Sequence, residues 1–335
     1  MQAQVVLDRL GFTPGVADGK MGLSTHNAIA GFQEASGLPQ SGELDAATNQ
    51  ALQRWSNIPA TRVVTIPADF AAGPFYKIPH DPQDQARMPS LGYESLDEKL
   101  AERFHTTLAT LLALNPGGVP AGATNPGTNT APPPSPSPSL TPSGAPGASP
   151  EPGPPSHFHA GQQIRVPNVG SDAIPPGSVK DAGWAQTLAM LGVGSVQPQA
   201  SRVVVSKSKG TMQVFDEAGK LVAVYTATMG STHDPLPLGE WKILGISHNP
   251  KFHYNPALFW DANANDPKAT LPPGPNNPVG VVWIDISKPH YGIHGTPNPE
   301  TIGRAESHGC VRLTNWDAAR LAQMVSTKTE LRFQA

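Results

Sequence analysis

The stretch Ser307-His308-Gly309-Cys310-Val311-Arg312-Leu313 contains the only cysteine of the 335-residue chain. A lone cysteine is usually a small buried apolar residue, so its neighbours decide how it is interpreted. The β-branched and apolar content of residues 308–313 favours a strand, and the period of two then places His308, Cys310 and Arg312 on one face. Two cationic neighbours favour the thiolate form of a cysteine. The stretch therefore predicts a nucleophilic thiol.

Two further features suit attack on a carbonyl group. Gly309 has no side chain, so a substrate can approach the backbone there, and the amides of Gly309 and Cys310 can point at a developing oxyanion. Upstream, His294 lies in Tyr291-Gly292-Ile293-His294-Gly295-Thr296, where glycines on both sides leave room around the imidazole. A general base needs such access, and we predict that His294 is the base for Cys310.

Zinc binding is the main alternative interpretation of this region. The possible ligands are His290, His294, His308 and Cys310. A His-x-x-x-His pair holds one ion when a helix places both rings on one face, but Pro289 and Gly292 argue against a helix here. We therefore predict no metal and no cofactor, and a purely structural role for these histidines is the other alternative.

The motifs of the C-terminal part resemble those of the L,D-transpeptidase (YkuD) catalytic domain family. The resemblance covers roughly residues 201–333. It rests on Thr228-Met229-Gly230-Ser231, Pro237-Leu238-Gly239-Glu240-Trp241-Lys242-Ile243, Pro275-Asn276-Asn277-Pro278-Val279-Gly280, His294-Gly295-Thr296-Pro297 and Ser307-His308-Gly309-Cys310-Val311-Arg312-Leu313. It implies a strand-rich domain that performs a two-step acyl transfer on peptidoglycan stem peptides.

The resemblance also implies roles for individual residues. Cys310 matches the nucleophile, which attacks the carbonyl of the third stem residue and expels D-alanine as a thioester forms. His294 matches the base, and Gly295 matches the position whose backbone carbonyl orients that ring. His308 matches a second histidine beside the thiol, and Arg312 matches an arginine that holds a substrate carboxylate or pins nearby carbonyls. Ser307 and Tyr291 are further substrate-binding candidates.

Three functions remain open on this basis. An amine of a second stem peptide can resolve the thioester into a 3-3 cross-link, which is transpeptidation. Water can resolve it instead, which is L,D-carboxypeptidation with the same residues. The third possibility is a non-catalytic wall-binding protein. The family resemblance also leads us to expect acylation of Cys310 by carbapenems.

The N-terminal part, residues 1–56, carries helical spacing in three blocks separated by Gly- and Pro-containing turns. The blocks are Val6 with Leu10, then Ala28, Ile29 and Phe32, then Ala51, Leu52 and Trp55. The order of these residues resembles the peptidoglycan-binding domain 1 family. We expect a three-helix bundle, which either holds the enzyme on its polymeric substrate or is a helical cap without a ligand.

The middle part, residues 63–169, resembles a LysM-type module that grips glycan chains. Residues 96–104 and 108–116 read as two short helices, and residues 158–167 read as a closing strand. A tract rich in Pro, Gly, Ser, Ala and Thr at 117–156 interrupts them, and such composition predicts disorder or polyproline structure. Residues 170–200 are a connector with a helical candidate at 184–191, and residues 201–335 form the catalytic domain.

Two segments flank the catalytic motifs. Residues 249–260 are unusually aromatic, and residues 268–280 are rich in Gly and Pro. Together they predict either a cap over the site or a packed surface loop. After the motif, Thr314 begins a helix that it can cap, so Asp317 is interpreted as a helix-start residue and not as a catalytic acid.

The fold class is therefore multidomain α+β, with a mainly β catalytic domain. A net charge of -3 leaves no basic surplus for a phosphate backbone, so nucleic acid is excluded as a partner. Apolar runs long enough for a transmembrane segment are absent from the sequence. The expected partners are stem peptides and glycan strands, in the periplasm or cell wall. The chain starts at Met1 without an export signal, so we infer a removed signal or an internal start.

Overall fold

The structure is a computed structural model that describes residues 1–122, 150–170 and 173–335. Most of the Pro-rich tract predicted at 117–156 lies outside these residues. Its last residues are described and are packed: the Lys77 amide donates to the Glu151 carbonyl over 2.9 Å, and the Leu96 amide donates to the Ser156 hydroxyl over 3.0 Å. The end of the tract is therefore held in place, because backbone groups of residues 75–96 supply its hydrogen-bond partners.

The N-terminal part contains three helices, at the places that the apolar spacing predicts. They are α1 (Gln2–Arg9), α2 (Leu23–Ala35) and α3 (Ala46–Leu52), and a 3-10 turn at Gln53–Trp55 follows. Asp45 caps α3 by accepting a hydrogen bond from the Thr48 amide. Phe32 packs edge-on against both Phe12 and Trp55, with ring centroids 6.0 Å apart in each pair.

The middle part surrounds a two-stranded antiparallel sheet. In chain order it has β1 (Thr61–Thr65), α4 (Ala68–Ala71), α5 (Pro82–Gln85), α6 (Leu96–Arg103), α7 (Leu108–Leu114) and β2 (Gln163–Pro167). β1 pairs with β2, and α6 and α7 pack with them around a core that includes Leu100, Leu111 and Ile164. Two short helices and a closing strand thus occur in the predicted order, and the LysM-like assignment stays a prediction.

The C-terminal part, which the sequence predicts to be catalytic, is built on one sheet that holds nine strands in the described residues. In chain order, the first strands of this part are β3 (Arg202–Ser206), β4 (Thr211–Phe215), β5 (Leu221–Thr226), β6 (Thr228–Met229) and β7 (Gly239–His248). The later strands are β8 (Phe252–Tyr254), β9 (Ala269–Leu271), β10 (Val282–Ile286), β11 (Gly292–His294), β12 (Val311–Arg312) and β13 (Glu330–Gln334). The order of strands in the sheet is β5-β4-β3-β13-β7-β10-β11-β12-β6, and β8 and β9 form a separate antiparallel pair.

Two helices complete the catalytic core. α8 (Ala182–Leu191) buries Trp184, Leu188 and Leu191 in it, and α9 (Asn315–Met324) buries Trp316 and Leu321. The predicted connector is therefore part of the core, because its helix has an apolar face that the sheet covers. As predicted, Thr314 caps α9 by accepting a hydrogen bond from the Asp317 amide.

The N-terminal helices pack directly on the catalytic sheet. Phe12 and Ile29 share one buried cluster with Leu221 and Val224 of β5. The Thr13 amide donates to the Val224 carbonyl over 3.0 Å. Among the described residues, no helix has the length and apolar content needed to cross a lipid bilayer.

Candidate active site

A cavity of about 910 Å³ brings together the residues that the sequence marks as catalytic. It opens where β11 and β12 run parallel, with His294 opposite Arg312 in the register. Tyr291, His294, His308, Cys310 and Arg312 all line it. The two short strands explain this convergence, since they place the histidine motif beside the cysteine motif.

The cysteine lies in a loop and not in the strand predicted at 308–313. Only Val311–Arg312 is extended, because Gly309 adopts a φ of 92° that ends the alternation of side chains. A side chain at Gly309 would also overlap the ring of Tyr291. The glycine is therefore required twice, by its backbone conformation and by the ring that covers it.

Ser307 supports this loop and does not face the cavity. Its side chain is buried, its hydroxyl donates to the Cys310 carbonyl over 2.7 Å, and it accepts from the Gly230 amide over 2.6 Å. The prediction that Ser307 binds substrate is not supported by this geometry. Ser307 instead connects the cysteine loop to the end of β6.

His294 is buried, and its ring orientation is set by backbone and by an indole. Its Nδ1 lies 2.7 Å from the Gly295 carbonyl oxygen, so Nδ1 carries the proton and Nε2 is left as the basic nitrogen. Trp283 stacks on the ring with centroids 5.6 Å apart. Burial, assisted by the positive charge of Arg312, lowers the pKa of His294 to about 3. The imidazole is consequently neutral at physiological pH.

The thiol of Cys310 is also held in its neutral form. Burial raises the pKa of Cys310 above its ordinary value, although a hydrogen bond from the Gly292 amide and the charge of Arg312 act in the opposite direction. Of the two cationic neighbours that the sequence suggests, Arg312 lowers the pKa of Cys310, and burial acts against it. Loss of hydration at the sulfur outweighs the attraction of Arg312, and His308 is directed elsewhere.

His308 contacts the loop that connects β8 and β9. Its Nε2 lies 2.8 Å from Asp261 Oδ1, and its ring packs edge-on against Phe259 with centroids 5.0 Å apart. Trp260 lies beside the same ring, at 5.6 Å. His308 thus joins the cysteine loop to the aromatic segment that the sequence suggests as a cap, and Tyr254, Leu258 and Phe259 of that segment line the cavity.

Arg312 combines a structural contact with an available donor. Its Nη1 donates to the Glu306 carbonyl over 3.3 Å, while its Nε is buried without a hydrogen-bond partner among the described residues. Within the same ranges, no three His, Cys, Asp or Glu side chains converge in a way that could hold a metal ion.

A family profile described as the L,D-transpeptidase catalytic domain matches residues 200–332, and a profile described as a putative peptidoglycan binding domain matches residues 1–52. A putative L,D-transpeptidase YkuD of Bacillus licheniformis is 30% identical over 146 residues, which are 44% of this chain and 73% of that protein. The chain belongs to the L,D-transpeptidase (YkuD) family. A second putative L,D-transpeptidase YkuD, of Bacillus subtilis, is 49% identical over 57 residues, covering 17% of this chain and 35% of that protein.

Among solved structures, L,D-transpeptidase 3 of Mycobacterium tuberculosis with a faropenem-derived adduct is similar, with a TM-score of 0.34 and 21% identity. The match covers 41% of this chain and 60% of that one, so the chain spans less than two thirds of its structural neighbour.

In this member of the L,D-transpeptidase family, several cavity residues carry no sequence signal. Trp283 and Asp261 contact the two histidines but belong to no motif. The segment between β1 and α6 also reaches the cavity, where His80, Pro82 and Gln85 line its wall. Gln83 fixes this segment by donating to the Pro267 carbonyl of the β8–β9 loop over 3.0 Å. Only folding reveals that the middle part borders the catalytic cavity.

Proposed function

We propose that the chain is a peptidoglycan L,D-transpeptidase in which Cys310 is the nucleophile and His294 is the general base. This proposal rests on two observations. Both side chains line one cavity, and the Gly295 carbonyl accepts the hydrogen bond from Nδ1 of His294. The basic Nε2 is then the nitrogen available to the thiol. Family membership supports the reaction class.

In the first step, the Cys310 thiol gives its proton to His294 Nε2 as the sulfur attacks the carbonyl carbon of the third residue of a tetrapeptide stem. The tetrahedral oxyanion is held by the amides of Gly309 and Cys310. Neither amide donates a backbone hydrogen bond within the described residues, so both are available. Collapse breaks the peptide bond, D-alanine leaves with the proton from His294, and a thioester remains.

In the second step, an amine of an acceptor stem attacks the thioester carbonyl. His294 removes the amine proton and returns it to the departing sulfur, which yields a 3-3 cross-link and the free thiol. Water in place of the amine gives a trimmed tripeptide, the product of an L,D-carboxypeptidase. Leu258 and Phe259 line the cavity, and apolar side chains at this position favour the amine because they limit access of water.

Substrate carboxylates are bound by the guanidinium of Arg312, which lines the cavity. Tyr291 forms a wall of the same cavity and covers Gly309. We assign both residues to substrate binding.

The other parts of the chain hold the wall polymer. The N-terminal part binds peptidoglycan, as the description of its profile suggests, and the LysM-like middle part contacts glycan strands. The protein works in the cell envelope, where its substrate is located.

The test is mass spectrometry of the products formed from a disaccharide tetrapeptide, with Cys310→Ala as the control. A cross-linked dimer that requires Cys310 supports transpeptidation. Loss of D-alanine without a dimer assigns the carboxypeptidase instead, and an unchanged substrate in both samples assigns a wall-binding protein.

Two simpler measurements accompany it. Incubation with a carbapenem should add the mass of the drug to the wild-type chain and nothing to Cys310→Ala. Wall binding is measured by retention of the full-length Cys310→Ala chain on purified sacculi, with serum albumin as the control. Deleting residues 1–56 is unsuitable, because it would expose Leu221 and Val224 of the catalytic sheet.

A further inference from the structure

The side chain of Asn315, the first residue of α9, fills a space between two glycines. It is fully buried, and a Cβ added at either Gly280 or Gly295 would overlap its carboxamide oxygen. The same oxygen accepts a hydrogen bond from the Val281 amide over 3.2 Å. Asn315 is thus in close contact with the backbone that follows His294.

That backbone orients the catalytic base. The Gly295 carbonyl accepts the hydrogen bond from His294 Nδ1, so a shift of Gly295 moves the acceptor that holds the imidazole. No carboxylate takes this role, since the carbonyl is the hydrogen-bond partner at Nδ1. The position of the ring therefore depends on how firmly Asn315 is held.

The nitrogen of the Asn315 carboxamide is held by the middle part of the chain. Nδ2 donates to Glu102 Oε1 over 2.8 Å and to the Pro275 carbonyl over 3.1 Å. Glu102 lies on α6, and its second oxygen accepts from the Tyr93 hydroxyl over 2.6 Å. These contacts form one continuous path from Tyr93 through Glu102, Asn315 and Gly295 to His294.

We propose that Glu102 is a positioning residue for His294, acting through Asn315 and Gly295, so that the middle part of the chain contributes to catalysis. This inference rests on the proposed function for its kinetic consequence. Glu102 touches neither Cys310 nor the cavity that holds it, and its contribution is to fix the orientation of the Asn315 carboxamide. Without that acceptor, the Asn315 carboxamide keeps the Pro275 carbonyl and the Val281 amide as partners, and it is held less firmly against Gly295.

The kinetic test compares Glu102→Leu with Glu102→Gln. Leucine removes the acceptor, and we expect kcat to fall about 10- to 100-fold with KM unchanged, because misplacement of a base affects the chemical step. Glutamine keeps an acceptor oxygen for Asn315 and can donate to the Tyr93 oxygen, so it should restore most of the activity. Equal losses in both variants would overturn the proposal.

Glu98→Leu is the matched control. Glu98 lies on the same helix and is half-buried, and burial raises its pKa as it does that of Glu102. It also contacts the catalytic part, accepting from Asn276 Nδ2 over 2.8 Å, but not Asn315. The kcat of Glu98→Leu should remain within a few fold of the wild-type value. A fall as large as that of Glu102→Leu would mean general damage to the interface and would overturn the assignment.

A second readout does not depend on turnover. The Nδ1–H proton of His294 is followed by NMR of ¹⁵N-labelled histidine in the full chain and assigned by its loss in His294→Ala. We expect Glu102→Leu to shift this signal or speed its exchange with water, and Glu98→Leu to leave it unchanged. An unchanged signal in Glu102→Leu refutes the coupling even if the chain proves not to be a transpeptidase.

Tyr93→Phe is the substitute if Glu102→Leu does not fold. It removes only the hydroxyl that holds the far oxygen of Glu102, so a kcat loss of about two- to fivefold and a smaller shift of the same signal are expected. A wild-type kcat together with an unchanged signal of the His294 Nδ1 proton would count against the coupling from Tyr93 to His294.

Discussion

The thiol of Cys310 and the imidazole of His294 are both neutral at rest, because burial acts on each in the direction of its uncharged form. Burial raises the pKa of Cys310 and lowers that of His294 to about 3. With these roles for Cys310 and His294, we expect the proton to move during the attack on the carbonyl and not before it. This differs from a preformed thiolate–imidazolium pair.

A pH profile distinguishes the two arrangements. We expect carbapenem acylation of Cys310 to be nearly constant between about pH 5 and 8, because neither group changes its protonation there. Alkylation by iodoacetamide requires the thiolate. Its rate should therefore rise with pH, with a midpoint above the pKa of an ordinary thiol. An acidic limb near pH 6.5 in the acylation profile would instead indicate an ion pair.

Glu102 predicts a pH dependence of stability with a defined sign. Burial raises the pKa of Glu102 from 4.5 to about 7, so the folded chain binds this proton more tightly than the unfolded chain does. The contribution of protonated Glu102 to the free energy of unfolding is fully present below pH 4.5, and it is lost as the pH rises to about 7. Between about pH 4.5 and 8, the free energy of unfolding of the wild-type chain should fall by on the order of 3 kcal/mol relative to that of Glu102→Gln. Urea unfolding of both chains across this pH range measures the effect. A difference in unfolding free energy that does not change with pH would contradict the prediction.

At the scale of elements, the β8–β9 loop is joined to the cysteine loop by a half-exposed contact. Asp261 and His308 form that contact, and Trp260 stacks on His233 of the β6–β7 connection with ring centroids 4.3 Å apart. One loop therefore connects both sides of the cavity. The contact adds little stability because solvent screens it.

Releasing this loop should affect substrate binding more than folding. Asp261→Ala is expected to raise KM about three- to tenfold, with a change in unfolding free energy below about 1 kcal/mol. Asp266→Ala, in the same loop without the contact to His308, is the control. Steady-state kinetics and urea unfolding provide the two readouts, and equal KM values for the two variants would be evidence against the role of the pair.

At the scale of the whole molecule, a buried cluster of charges joins the three parts of the chain. Asp8 of α1 contacts Arg320 of α9 over 2.8 Å and His105 of the middle part over 3.0 Å. Burial alone would raise the pKa of Asp8, but Arg320 and His105 together hold it below its ordinary value. His105 also stacks on Trp316, with ring centroids 4.7 Å apart. The parts are therefore coupled through their interiors.

Removing Asp8 should destabilise the whole chain. Asp8→Ala leaves a buried guanidinium without this carboxylate, and we expect a loss of about 3–5 kcal/mol. Glu43→Ala is the control, since Glu43 forms an exposed pair with His26 in the same N-terminal part and is expected to change stability by less than about 1 kcal/mol. Calorimetry checks both values, and a loss confined to one of several separate transitions would contradict the coupling.

Features that depend on neighbouring residues in the chain can be predicted from the amino-acid sequence. Cys310, His294 and the glycines beside them identify the chemistry because each motif is short and its residue types are specific to that reaction. The helix at Thr314 follows from a cap and apolar spacing within one turn. For the same reason α1, α2, α3 and α8 lie at the predicted positions.

Properties that depend on burial or on contacts between distant segments are visible only in the folded structure. The raised pKa of Cys310 follows from desolvation, which charge counting near the motif does not include. Gly309 ends the predicted strand, because its φ of 92° breaks the alternation. The partners Asp261 for His308 and Glu102 for Asn315 come from separate segments, and Glu102 is 213 positions from Asn315 in the chain. No local pattern encodes such pairs, because they exist only once the sheet and helices have packed.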